Sequence, residues 1–131
     1  MCLESRQKRP RISLRRRKIY KVLIKEGSVY YTPFQLFTVR LNELYKNQEN
    51  EAEKIKKTDT GILVYGGFYH ACLELLSAKV IAASMKTYKD LYYKNVMVVE
   101  GYVPMFTKYY KGEHHDIAAK KIKYKKEVYE I

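Results

Sequence analysis

Tryptophan is absent from this chain of 131 residues, histidine appears three times, and cysteine twice. Two cysteines, Cys2 and Cys72, cannot build a disulfide framework and suit a reducing compartment. Long apolar runs are also missing. The longest, Ile62 to Leu76, is broken by His70 and Glu74 and is too short to span a bilayer, so no membrane partner is expected. The opening MCLESRQKRP has no apolar core of the signal-peptide kind, which reads against secretion. The six glycines form no phosphate loop, because Gly61-Ile62-Leu63-Val64-Tyr65-Gly66-Gly67 is not followed by Lys-Ser/Thr. Acids are scarce as well, with 14 Asp+Glu against 26 Lys+Arg and a net charge of +12. With 47% hydrophobic residues the chain still has the material for one packed core, which excludes a wholly disordered protein.

The charge is unevenly placed. Residues 1–25 carry a net +9, residues 26–101 are neutral, and residues 102–131 carry +3. Six of the seven arginines (Arg6, Arg9, Arg11, Arg15, Arg16 and Arg17) fall in the first 17 residues. Arginine grips phosphate with a planar fork where lysine offers a point charge. Residues 1–18 therefore read as a basic, arginine-rich arm, with Arg9, Arg11, Arg15, Arg16, Arg17 and Lys18 as its phosphate contacts. The plainer alternative is a solvated basic tail.

Residues 19–131 read as one domain. Ile19 to Lys25 is β-branched and aromatic, Glu26-Gly27-Ser28 supplies a turn, and Val29-Tyr30-Tyr31 completes a hairpin. Phe34 to Leu41 reads as a strand buried on both sides. Residues 42–60 form a polar insert, expected as a loop with at most a short helix. Ile62 to Tyr65 is a strand ended by Gly66-Gly67. Leu73, Leu76, Val80 and Ala83 recur at helical spacing and mark the core face of a helix ending near Tyr88 to Asp90. Asn95 to Val103, closed by Pro104, is the strongest strand, and Lys121 to Tyr129 a last half-exposed one. The expected class is α+β, a mostly antiparallel sheet of about five to six strands with one main helix.

No catalytic constellation stands out. Adjacent residues of a strand face opposite ways, so His114-His115-Asp116 does not make a metal site, and no cofactor motif is present. His70 and Cys72 would share a strand face, but no orienting acid accompanies them, and Cys72 reads as a small buried apolar group. The fourteen tyrosines are more informative, many being flanked by lysine, as in Lys108-Tyr109-Tyr110-Lys111 and Lys123-Tyr124-Lys125. In a tyrosine pair such as Tyr92-Tyr93 or Tyr109-Tyr110, strand alternation sends one ring outward. An outward ring beside a lysine is a base-stacking platform next to a phosphate contact, the plainer alternative being tyrosine as a good strand former that fills sheet edges.

Gly67-Phe68-Tyr69-His70-Ala71, Val99-Glu100-Gly101-Tyr102-Val103-Pro104 and Tyr109-Tyr110-Lys111-Gly112-Glu113 with Ile117-Ala118-Ala119-Lys120-Lys121-Ile122 together resemble small uncharacterised phage and prophage proteins. Those open with a "YKV" strand and continue through a glycine-then-"HA" strand, a helix, a "VxxxxVP" strand and a "YYxGE…IA-x-KI" ending. The resemblance covers roughly residues 19–125 and implies a mobile-element origin, a sheet-rich single domain and the cytoplasm of a bacterial host.

The expected function is a non-enzymatic binder of nucleic acid, RNA before DNA, or of a host nucleoprotein, a protein–RNA complex such as a CRISPR effector. For a phage protein this includes an anti-CRISPR-type inhibitor. The alternatives are a small ADP-ribosyltransferase-like enzyme with a pocket at Gly66–Cys72, and a module that binds only protein.

Overall fold

The computed structural model describes residues 3–33, 37–46, 53–88 and 94–131. Cys2, residues 34–36, the middle of the polar insert, Asp90 and the pair Tyr92-Tyr93 lie outside these, while the helix ends at Met85, earlier than the expected end near Tyr88 to Asp90. The described residues form β1 (Leu3–Ser5), β2 (Arg11–Ile12), β3 (Arg17–Glu26), β4 (Val29–Tyr31), β5 (Thr38–Val39), β6 (Leu44–Lys46) and β7 (Lys54–Lys57). Then come β8 (Ile62–Gly66), β9 (Tyr69–Cys72), α1 (Leu75–Met85), β10 (Asn95–Val103), β11 (Lys108–Lys111), β12 (Asp116–Ala119) and β13 (Lys121–Glu130). This is an α+β fold dominated by antiparallel sheet, with one helix among the described residues.

The larger sheet runs β2-β11-β12-β9-β3-β10-β13-β6, and β4 and β5 extend the Glu26 end of β3. Its spine is the β3–β10 ladder, nine residue pairs from Asn95↔Lys25 to Val103↔Arg17. Alternation along these strands divides the core in two. Ile19, Leu23, Met97, Val99 and Val103 pack on one face with Tyr109, Ile117, Ile122 and Tyr124. Val22, Ile24, Val96 and Val98 pack on the other, where α1 covers them with Ala78, Ala82 and Met85. A smaller sheet, β1-β8-β7, closes a third cluster in which Leu3, Ile62, Val64 and Phe68 meet Tyr110 and Ala118.

Several expectations are corrected. There are more strands than expected, because the first eighteen residues and the polar insert both contribute short ones. The basic segment is woven into the domain: β1 pairs with β8, β2 with β11, and Arg17 already belongs to β3. Leu3 and Ser5 are buried, and the Ser5 hydroxyl donates to the Lys111 carbonyl at 2.6 Å. Gly61 allows the close approach, since a Cβ there would lie 2.0 Å from the Ser5 carbonyl oxygen. The insert forms β6 and β7 at its two ends. Among the described residues of the expected strand Phe34 to Leu41, Thr38–Val39 alone is strand and Phe37 is 64% exposed.

The helix presents the opposite face from the one expected. Leu76 and Val80 are 70% and 62% exposed, and the buried side is Ala78, Ala82 and Met85. The stretch is apolar at more than one helical phase, so periodicity alone cannot select the face. The sheet selects it: alanine at two contact points lets the helix lie close on Val22 and Val96, which are themselves almost fully buried.

Candidate nucleic-acid interface

The arginines are displayed by a short stretch of backbone that is pinned on both sides. Arg11 pairs with Tyr109 and Ile12 with Lys108 across the β2–β11 ladder. Ser13, fully buried, then binds the turn between β10 and β11. Its amide donates to Thr107 O at 2.9 Å, its carbonyl accepts from Phe106 N at 2.7 Å, and its hydroxyl donates to Pro104 O at 2.7 Å. The hydroxyl also accepts from Thr107 N at 2.9 Å. The chain then enters β3, where Arg17 is held opposite Val103.

Arg16 and Arg17 diverge from that point. The Arg16 guanidinium lies over Tyr102, 4.5 Å from the ring centroid, and that of Arg17 over Tyr109 at 4.8 Å. Beside Arg17 an open, shallow groove is lined by Arg11, Ile12, Leu14, Arg15, Arg17 and Tyr109. The Arg17 Nε is buried and has no hydrogen-bond partner among the described residues. Among the described residues Arg9, Arg11, Arg15, Arg16 and Arg17 make no ion pair, whereas Arg6 is paired with Glu113 at 2.7 Å. Residues 5–18 and 101–111 contain no acid. Among the described residues no carboxylate lines the groove that Arg11, Arg15 and Arg17 share, and uncompensated guanidiniums of this kind can attract a polyanion.

The lysine–tyrosine stretches behave differently from expectation. Tyr109, Tyr110 and Tyr124 are only 3–4% exposed and cannot offer a ring to a base. Both members of the Tyr109-Tyr110 pair are covered because β11 lies between two layers. Tyr109 faces the main core, and Tyr110 faces the smaller sheet, edge-on to Phe68 with centroids 5.5 Å apart. Tyr124 packs 6.2 Å from Tyr45, and burial pushes its hydroxyl pKa up. Lys108 is held by Glu53 at 2.7 Å, and Lys120 reaches the same carboxylate, which these bonds keep below the usual carboxylate range. Lys111 and Lys125 remain exposed.

The structure instead brings Lys18, Tyr102 and Lys123 into one row across β3, β10 and β13, next to Arg16. Glu100, one pleat further along, lies 3.5 Å from Lys18 and 3.6 Å from Lys126. Tyr102 is thus the half-exposed aromatic that lysine-flanking did not single out. Its lysines come from neighbouring strands, and only the pairing register reveals them.

His70 and Cys72 lie on β9 as expected of a strand. Burial, aided by the nearby Lys21 ammonium, lowers the imidazole pKa to about 4, and burial raises that of the thiol. Neither shift favours a thiolate–imidazolium pair at neutral pH. His115 has its Nδ1 3.2 Å from Glu74, and the His114 amide donates to Asp116 at 3.3 Å. Among the described residues no group of three or more His, Cys, Asp or Glu is placed to hold a metal ion, and no helix is long and apolar enough to cross a membrane. Comparison with protein-family models, with curated proteins and with solved structures finds no match.

Proposed function

We propose that the protein is a non-enzymatic binder of nucleic acid, RNA before DNA, whose phosphates are gripped by Arg11, Arg15 and Arg17 with Arg9, Arg16 and Lys18 alongside. The observation that carries this reading is the groove lined by three arginines that no carboxylate of the described residues neutralises. The Arg11 backbone is set by pairing to β11 and the Arg17 guanidinium by stacking on Tyr109, so Arg17 loses little side-chain entropy on binding. Single-stranded RNA is favoured because the surface offers a half-exposed ring, Tyr102, between basic side chains rather than a helix shaped for a major groove. An RNA held inside a host protein complex, such as an RNA-guided effector, presents the same phosphates. In that setting the protein would act as a phage-encoded inhibitor.

Titration of a fluorescent single-stranded RNA at several salt concentrations tests the reading. With about seven phosphates engaged, log K should fall against log salt with a slope near −5, at about −0.7 per contact. Replacing Arg11 and Arg15 together by Ala should flatten the slope by about 1.5 and weaken binding at low salt. No binding at low salt, or a slope near zero, overturns the reading. Capture of a host protein that survives nuclease treatment would then favour the protein-binding module.

A further inference from the structure

The arginines do not account for the apolar side chains displayed among them. Ile12 and Leu14 are 53% and 80% exposed, and Met105 and Phe106, on the turn clamped to them by Ser13, are 48% and 69% exposed. Ser13 makes four hydrogen bonds across the two segments, so this apolar tip is a fixed feature of the surface. Phe106 sits at φ +61, a backbone conformation that bulky residues rarely adopt, and it holds a large ring toward solvent there. Packing gives no reason for that choice, because the ring is outside the core.

The occupant must supply negative charge and flat apolar surface in alternation. The arginine groove shares Ile12 and Leu14 with the tip, and Arg16, two residues beyond Leu14, stacks on Tyr102. A single nucleic-acid strand alternates phosphates with bases in this way, and it can enter a groove that the plane of a bilayer cannot. Exposed Phe, Leu, Ile and Met beside arginine is also the composition of side chains that wedge between bases.

We propose that Phe106, supported by Leu14, Ile12 and Met105, is the base-stacking element: an apolar wedge that inserts between neighbouring bases of a single strand whose phosphates occupy the Arg11–Arg15–Arg17 groove. This rests on the nucleic-acid reading and goes beyond it by assigning the base contact to the tip.

The test uses the full-length chain and a single-stranded RNA carrying 2-aminopurine. Phe106→Gly removes the ring and suits the positive φ, so the fold is kept; matching circular dichroism and melting temperature check this. The expected result is a loss of the 2-aminopurine response and about a 5- to 150-fold weaker affinity, as for one lost base stack, with an unchanged salt slope. Phe106→Tyr should restore both. If Phe106→Gly keeps the wild-type affinity and fluorescence change while the salt slope stays steep, the wedge is overturned and the nucleic-acid reading stands. If the wild type ignores RNA but binds vesicles containing anionic phospholipid through Phe106, both are overturned and the tip is a membrane contact.

Discussion

The ammonium of Lys21 donates to the backbone carbonyl of His70 at 2.7 Å, joining β3 to β9 beside the point where Tyr20 faces Cys72. Burial lowers the Lys21 pKa from 10.5 to about 8, and burial together with the Lys21 charge lowers that of His70 from 6.5 to about 4. Between pH 6.5 and about 4 the unfolded chain therefore binds a proton that folded His70 refuses. Stability should fall as the pH drops through that window. Thermal melts at stepped pH, with His70 followed by its ring proton resonances, check this. Lys21→Met removes the facing charge, so His70 should titrate at higher pH than in the parent. A His70 that titrates near its ordinary value in the wild type would show the site to be solvated.

Gly61→Ala tests whether the first strand is part of the fold. The added Cβ would lie 2.0 Å from the Ser5 carbonyl oxygen, a backbone atom that cannot swing aside. A loss of about 1–3 kcal/mol in chemical denaturation is expected, from overpacking and weakened β1–β8 pairing. Hydrogen exchange at Leu3 to Ser5 should accelerate in the same variant.

The helix orientation gives a paired prediction. Leu76→Glu and Val80→Lys lie on the exposed face and should each change stability by less than about 0.5 kcal/mol. Ala82→Leu forces a larger side chain against Val22 and Val96 and should cost about 1–3 kcal/mol. If these effects were reversed, the helix would be rotated from the position described.

Arg17→Lys separates shape from charge. Lysine keeps the charge but loses the planar group that lies over Tyr109 and the Nε donor. If nucleic acid binds the groove, RNA affinity should drop by about 10- to 150-fold, in line with one lost charge-assisted hydrogen bond from the guanidinium worth about 1.5–3 kcal/mol. The salt slope should stay within about one unit of the parent. Equal affinities would mean that Arg17 serves only as a point charge.

Much of the frame was legible in residue order. The hairpin around Gly27-Ser28, the strand ended by Pro104 and the alternation of Ile122 with Tyr124 each follow from patterns within one segment. Features decided between segments were not legible. β2 has only two residues and reads as a strand only beside β11. Tyr110 appears free to face solvent until the smaller sheet covers it. The site shows the same division. Composition pointed to Arg11, Arg15 and Arg17, but Tyr102, Leu14 and Phe106 gain their meaning from the Ser13 clamp and the register of β3, β10 and β13.

The pairing of β2 with β11 also sets an order of events during synthesis. Arg11 leaves the ribosome almost a hundred residues before Tyr109, which lies on the strand that positions it. At about 5–20 residues per second, the arginines wait roughly 5–20 s before their groove exists. A nascent chain thus carries these arginines before the strand that positions them, so a site of the proposed kind would form only after Tyr109 has been made and folded into place. If nucleic acid is the ligand, the chain has little means of seizing its own messenger before then.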